Sequence, residues 1–302
     1  VTGPADIRIV EVGPRDGLQN ESRSVSVAQR IALIDALSAS GLTAIEAGSF
    51  VSPRRVPQMA GSGAVLQGIT RVPGVRYPVL VPNAIGMEGA IRAAADEVAL
   101  FLSATESFSQ RNINCSIAES LERAAAVVAM ARPHDIRVRA YISCVLGCPY
   151  EGAVPLANVV ALAGQLAALG CYEISLGDTL GAGTAWQARE MVRAVAGAVP
   201  IGQLAIHFHD TFGQALANVL ACLEAGIAVI DSAVGGLGGC PYAEGASGNL
   251  ATEDLLYMLD GLGVRTGVDL DAVLDAAVMI DNAFGIRPRS RLFAARRAPP
   301  AA

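Results

Sequence analysis

The sequence predicts a single α/β domain, a (β/α)8 TIM barrel. Short β-rich runs, eight in all, recur between residues 7 and 234, and helix-period segments separate them. The runs are too apolar to have a solvated face, which points to parallel strands covered by helices. A chain of 302 residues has a length prior of about two domains, yet single barrels reach this size. A doubly wound open sheet is the competing architecture, but no GxGxxG opens a helix after the first run.

In chain order the predicted strands are "IRIVEV" (7–12), "AIEAG" (44–48), "YPVLV" (77–81), "EVALFLS" (97–103), "RVRAYIS" (137–143), "YEISL" (172–176), "LAIHFH" (204–209) and "AVIDSAV" (228–234). Helices are predicted between them, over 27–40, 118–131, 155–170 and 212–226 among others. Gly41, Gly170 and Gly226 stand where left-handed caps would stop three of them. Residues 267–302 give one more helix and then "RPRSRLFAARRAPPAA", predicted to be a frayed tail from about residue 288 of a single domain spanning 1–302.

Composition excludes several functions. The chain is 52% hydrophobic and 17% charged, and no apolar run reaches the roughly 20 residues that span a bilayer. Net charge is −6 without a basic stripe, so neither nucleic acid nor a membrane is an expected partner. The opening "VTGPADIRIVEVGPRDG" matches no secretory or transit pattern, which makes cytoplasm the expected compartment. Six cysteines without a CxxC pair read as thiols rather than a disulfide framework. All 22 basic residues are arginines, so no lysine is available to form a Schiff base.

The unusual residues fall where predicted strands end, the face on which barrels place their chemistry. "DTLG" (178–181) and "DTFG" (210–213) follow the sixth and seventh runs, and "GCPY" occurs at 147–150 and again at 239–242. In "LAIHFHDTFGQ", His207 and His209 are two apart on a strand and therefore point the same way. Two imidazoles so placed can chelate one cation; a pair of hydrogen-bonded core histidines is the competing reading. Oxygen ligands at other strand ends favour the cation: Asp16 after the first run and Asn249 after the eighth. Such a set leaves open positions on an octahedral ion, as Lewis-acid catalysis requires. Asp210 or Thr211 is expected to cap the next helix, Thr211 with Gln214 as a capping box.

Arg15 sits beside Asp16 in "VGPRDGLQNE", where its planar cation can face developing oxyanion charge. Glu46, in apolar "AIEAG", needs a partner if buried, and Arg15 is the natural one. "GGLGGCPYAEGASGNLATED" (235–254) holds six glycines before a helix starting near Thr252. It reads as a lid carrying Cys240 as an acid or base, with Cys148 in the sister motif left to packing. Asp178 ends the sixth run and is expected to face the mouth, binding a metal-bound water or orienting substrate.

Together "VGPRDGLQNE", "IEAGSFVSP", "NINCSI", "GCPYEG", "YEISLGDT", "HFHDTFGQALAN" and "GLGGCPYAEGASGNLATED" closely resemble the 3-hydroxy-3-methylglutaryl-CoA lyase family, from about residue 7 to about 265. The resemblance implies retro-Claisen cleavage of 3-hydroxy-3-methylglutaryl-CoA to acetyl-CoA and acetoacetate, and a homodimer or larger homo-oligomer. It also implies a divalent cation, Mg or Mn, on Asp16, His207, His209 and Asn249. Arg15 would stabilise the enolate, Cys240 would transfer protons, His207 would share in the acid–base chemistry, and Glu46, Asp178 and Glu253 would support the site. Where such lyases commonly carry a lysine after "PN", this chain has Ile85; Arg111, Arg287 or Arg289 would have to meet the CoA phosphates instead. The alternatives are a lyase for longer 3-hydroxy-3-alkylglutaryl thioesters, a transferase running the condensing direction, and a non-catalytic barrel, which would have no use for this constellation.

Overall fold

The computed structural model describes residues 6–239 and 248–297. Its strands are β1 (Arg8–Glu11), β2 (Gly48–Ser49), β3 (Val79–Leu80), β4 (Glu97–Ser103), β5 (Arg137–Ser143), β6 (Glu173–Asp178), β7 (Leu204–Phe208) and β8 (Val229–Ser232). All pair in parallel, in the order β1-β8-β7-β6-β5-β4-β3-β2. A bridge from Glu11 to Ile45 joins β1 to the segment leading into β2, so the sheet closes on itself. The eight predicted strands are present and the TIM-barrel prediction holds.

Two strands are shorter than predicted. Pro78 has no N–H to give a ladder, which limits β3 to Val79–Leu80. Opposite it, Ala44 and Ile45 make isolated bridges only, and β2 proper begins at Gly48.

The helices are α1 (Val27–Ser38), α2 (Ser62–Gly68), α3 (Ala84–Arg92), α4 (Glu106–Ile113), α5 (Ile117–Ala131), α6 (Leu156–Leu169), α7 (Ala185–Ala196), α8 (Ala215–Glu224), α9 (Thr252–Gly261), α10 (Leu270–Met279) and α11 (Arg291–Arg297). Ser26 with Gln29 and Ser116 with Glu119 form reciprocal capping boxes that start α1 and α5. Gly170 ends α6 at φ +105°, a conformation that costs a side chain dearly and glycine little. Among the described residues no helix is long and apolar enough to cross a membrane.

The main core lies between strands and helices, where Ile206 and Phe208 of β7 are buried. Inside the barrel a smaller cluster of Leu80, Ala99 and Tyr141 sits among polar side chains. Arg139 there donates to Glu173 at 2.6 Å and to Asp231 at 2.6 and 3.2 Å, and Glu173 also pairs with Arg8. The inward face of the strands therefore carries a buried chain of ion pairs from Arg8 to Asp231.

The frayed tail is corrected over its described part. Phe293 of α11 is buried, and Asp254 in the first turn of α9 caps α11 by accepting from Ser290 Oγ (2.8 Å), Arg291 N (3.0 Å) and Leu292 N (2.8 Å). One aromatic anchor and one carboxylate cap hold a segment whose arginine-rich composition alone suggests solvent.

Candidate active site

The site forms at the carboxyl ends of the strands. After β1 the chain turns through Gly13–Gly17, a single π-helical turn with Pro14 as its second residue, and this turn aims Arg15 and Asp16 across the mouth. His207 lies within β7 and His209 just after it, both buried. Asn249 is laid beside His209 by an antiparallel bridge, with Leu250 N donating to Phe208 O at 3.0 Å. Gly238 makes room for this: its φ is +110°, and a Cβ there would come within 2.9 Å of Asn249 Nδ2.

One ligand atom from each of Asp16, His207 and His209 lies within 4.8 Å of the others, the one such cluster of acidic, histidine or cysteine groups among the described residues. Asp16 Oδ1 accepts from Arg15 at 2.6 Å, and Oδ2 accepts from Asn249 Nδ2 at 2.8 Å and lies 3.8 Å from His207 Nε2. Asn249 Oδ1 and His209 Nδ1 are buried without a hydrogen-bond partner. Unpartnered buried acceptors beside a carboxylate are costly unless something positive completes them. A set of imidazole and oxygen donors fits a divalent cation. Histidine and asparagine thus come together with Asp16 as the sequence suggested.

The electrostatics suit that use. Burial alone would raise the Asp16 carboxyl, but Arg15, the two histidines and the Asn249 donor outweigh it and hold the group well below the usual carboxylate range. Burial, then the neighbouring His207, push His209 down to about 4, leaving it neutral at pH 7 as a metal ligand must be. Arg15 Nε donates to Glu46 Oε2 at 2.7 Å, and its guanidinium carbon lies 5.5 Å from the Tyr141 ring centre. Burial disfavours the Arg15 charge, but Glu46 and Asp16 more than compensate and keep it protonated. The predicted Arg15–Glu46 partnership is present.

Other expectations shift. Asp178 is turned into its own loop rather than the mouth, accepting from Gly183 N at 2.8 Å and Ala182 N at 3.4 Å. Its turn needs that acceptor because the buried Gly183 amide would otherwise be unpaired. Glu253 accepts from Gly235 N at 2.8 and 3.0 Å through its two oxygens, holding the start of the glycine loop. Cys240, the predicted proton-transfer thiol, lies outside the described residues. Asp210 supplies the cap for α8, accepting from Ala215 N at 2.9 Å, whereas Thr211 Oγ1 is buried without a partner, so the Thr211–Gln214 box does not form. Cys148 is buried and accepts from Thr105 at 3.2 Å, as packing requires.

A family model described as HMGL-like matches residues 6–280. The chain belongs to the HMGL-like family. This HMGL-like chain is 58% identical over 288 residues to the 3-hydroxy-3-isohexenylglutaryl-CoA/hydroxy-methylglutaryl-CoA lyase of Pseudomonas aeruginosa, covering 95% of this chain and 96% of the relative. It is 56% identical over 289 residues to the mitochondrial hydroxymethylglutaryl-CoA lyase of Gallus gallus, covering 96% and 97%. The crystal structure of hydroxymethylglutaryl-CoA lyase from Pseudomonas aeruginosa superposes with a TM-score of 0.96 at 56% identity, covering 98% of this chain and 99% of that one. An HMG-CoA lyase from Acinetobacter baumannii in complex with coenzyme A and 3-methylmalate superposes with a TM-score of 0.93 at 37% identity, covering 98% and 97%.

Several residues have roles around the HMGL-like site that the sequence did not suggest. Glu21 and Arg289 form a clamp on the glycine loop: Arg289 donates to Glu21 at 2.8 Å and to Gly238 O at 2.8 Å, and Gly238 N donates to Glu21 at 3.1 Å. Glu11, wholly buried, accepts from Thr252, Val234 N and Gly13 N, and burial raises it to about 7. Asp231 lies beside His207 in the β7–β8 register. The signal for Glu11 and Asp231 was available, since each is a lone carboxylate in an apolar run; Arg289 gave none, because its partners are 268 and 51 residues away.

Proposed function

We propose that this HMGL-like protein cleaves 3-hydroxy-3-methylglutaryl-CoA to acetoacetate and acetyl-CoA, with magnesium or manganese held by Asp16, His207, His209 and Asn249. What carries the reading is the convergence of Asp16, His207 and His209 beside a protonated Arg15, in a chain 56% and 58% identical to named lyases. When bound, the cation supplies Lewis-acid polarisation of the substrate hydroxyl and carboxylate oxygens.

The chain's own residues account for the rest. The tertiary hydroxyl loses its proton, the oxygen electrons form the ketone of acetoacetate, and the C2–C3 bond breaks toward the thioester to give the enolate of acetyl-CoA. A proton added to C2 completes the products. Arg15, fixed by Glu46, faces the enolate oxygen with a charge already oriented before the bond breaks. His207 would hold the cation beside the hydroxyl, and Cys240 is assigned a part in proton transfer. Asp178 and Glu253 act by fixing their loops rather than by touching substrate. For the CoA phosphates, Ile85 is 76% exposed and brings no charge, Arg111 stacks over Tyr150, and Arg289 is engaged by Glu21. Arg287, in a groove also lined by Arg23, is the better candidate. A cytoplasmic setting fits the five described cysteines, all free and buried.

Purified protein given 3-hydroxy-3-methylglutaryl-CoA and manganese should release acetoacetate and free acetyl-CoA, and EDTA should stop the release. Cleavage confined to a longer 3-alkyl thioester, or condensation of acetyl-CoA with a 2-oxo acid in its place, would contradict the reading.

A further inference from the structure

We infer that Asp231 is a positioning residue for His207: it holds the imidazole through Nδ1 so that Nε2 is presented to the cation. The inference rests on the metal reading above and adds a residue that touches neither substrate nor cation.

Asp231 is 1% exposed on β8, directly beside His207 in the strand register. Its Oδ2 lies 3.4 Å from His207 Nδ1, while His207 Nε2 faces Asp16 on the other side. That Nδ1 is buried and has no hydrogen-bond partner, and the Asp231 carboxylate at 3.4 Å is the acceptor it faces. Free histidine has two neutral tautomers, and the one carrying the proton on Nδ1 leaves the Nε2 lone pair for a metal. A carboxylate beside Nδ1 selects that tautomer and fixes the ring.

Asp231 is itself immobilised. Arg139 donates to both of its oxygens, at 2.6 and 3.2 Å, and Ser175 Oγ donates to Oδ2 at 2.7 Å. Arg139 is held in turn by Glu173 at 2.6 Å, and Glu173 is paired with Arg8 toward the amino end of the barrel. Alternating charges thus run from Arg8 through Glu173, Arg139 and Asp231 to His207. Were Asp231 there only to neutralise Arg139, its removal would not alter metal affinity in a protein that remains folded.

The test is a manganese titration read by the electron paramagnetic resonance of the free ion, on the full chain, with thermal unfolding as a check on folding. Asp231→Asn should weaken manganese binding by about 10- to 100-fold. In a His207→Ala background the same substitution should change affinity by less than about twofold, because it acts through that ring. An unchanged affinity in folded Asp231→Asn, or an equal loss in both backgrounds, overturns the assignment. If the unaltered protein takes up no manganese, the metal reading fails and takes the assignment with it. Should Asp231→Asn not fold, long-range 15N–1H correlation of the unaltered metal-free protein decides: the Nδ1–H tautomer of His207 is expected, and the Nε2–H tautomer overturns the assignment.

Discussion

Arg15 and His209 separate two kinds of work within one site. Arg15 is paired to Glu46 at 2.7 Å and has no place among the metal ligands, so Arg15→Met should lower kcat by about 10²–10³-fold, the usual loss for an oxyanion donor. Manganese content should be unchanged; a variant with near-normal turnover would refute the enolate role. His209→Ala removes a buried neutral imidazole, and stoichiometric metal should be lost even where the fold persists. Retained stoichiometric metal would remove His209 from the ligand set. At this scale the sequence was informative because rare residues in apolar runs require an explanation: HxH, Arg15–Asp16 and Glu46 all reach the mouth. Asp178 was misread because a strand-end carboxylate looks the same in sequence whether it faces the mouth or closes its own turn through Gly183 N.

Elements enter where they hold the loops. Asp254 of α9 caps α11, and Phe293 of α11 is buried, so the C-terminal helix is docked and places Arg289 on Glu21 and Gly238 O. Phe293→Ala should destabilise the protein by about 3 kcal/mol in chemical unfolding, whereas a frayed tail would give almost none. Arg289→Ala should lower kcat, since the clamp grips the loop ahead of Cys240; an unchanged kcat would remove the clamp from the working site. Strand count and order were legible from β-rich runs at regular spacing. The docking of α11 was not, because its determinants are one aromatic residue and a carboxylate 36 to 38 residues earlier in the chain.

The barrel also buries carboxyls that have no cationic partner, and this gives the protein a pH signature. Glu253 is raised to about 8, first by burial and further by Glu11 and Asp254, against an ordinary value near 4.5. The folded state therefore binds more protons than the unfolded one between these values, and its stability falls as pH rises through that window. Thermal unfolding should shift down between pH 6 and pH 9, and Glu253→Gln, which has no proton to lose, should flatten the dependence; an unchanged slope would remove Glu253 as its source. The closed barrel also explains why chemistry scattered from residue 15 to residue 249 converges: these side chains gather at the mouth formed by the carboxyl ends of the strands. The central claim is that this convergence holds one cation serving carbon–carbon cleavage. Its most direct test is to strip the protein of metal, add manganese stepwise, and measure bound ion and acetoacetate release from 3-hydroxy-3-methylglutaryl-CoA in parallel. Both should rise together and saturate at about one ion per chain; full release by the stripped protein would contradict the account.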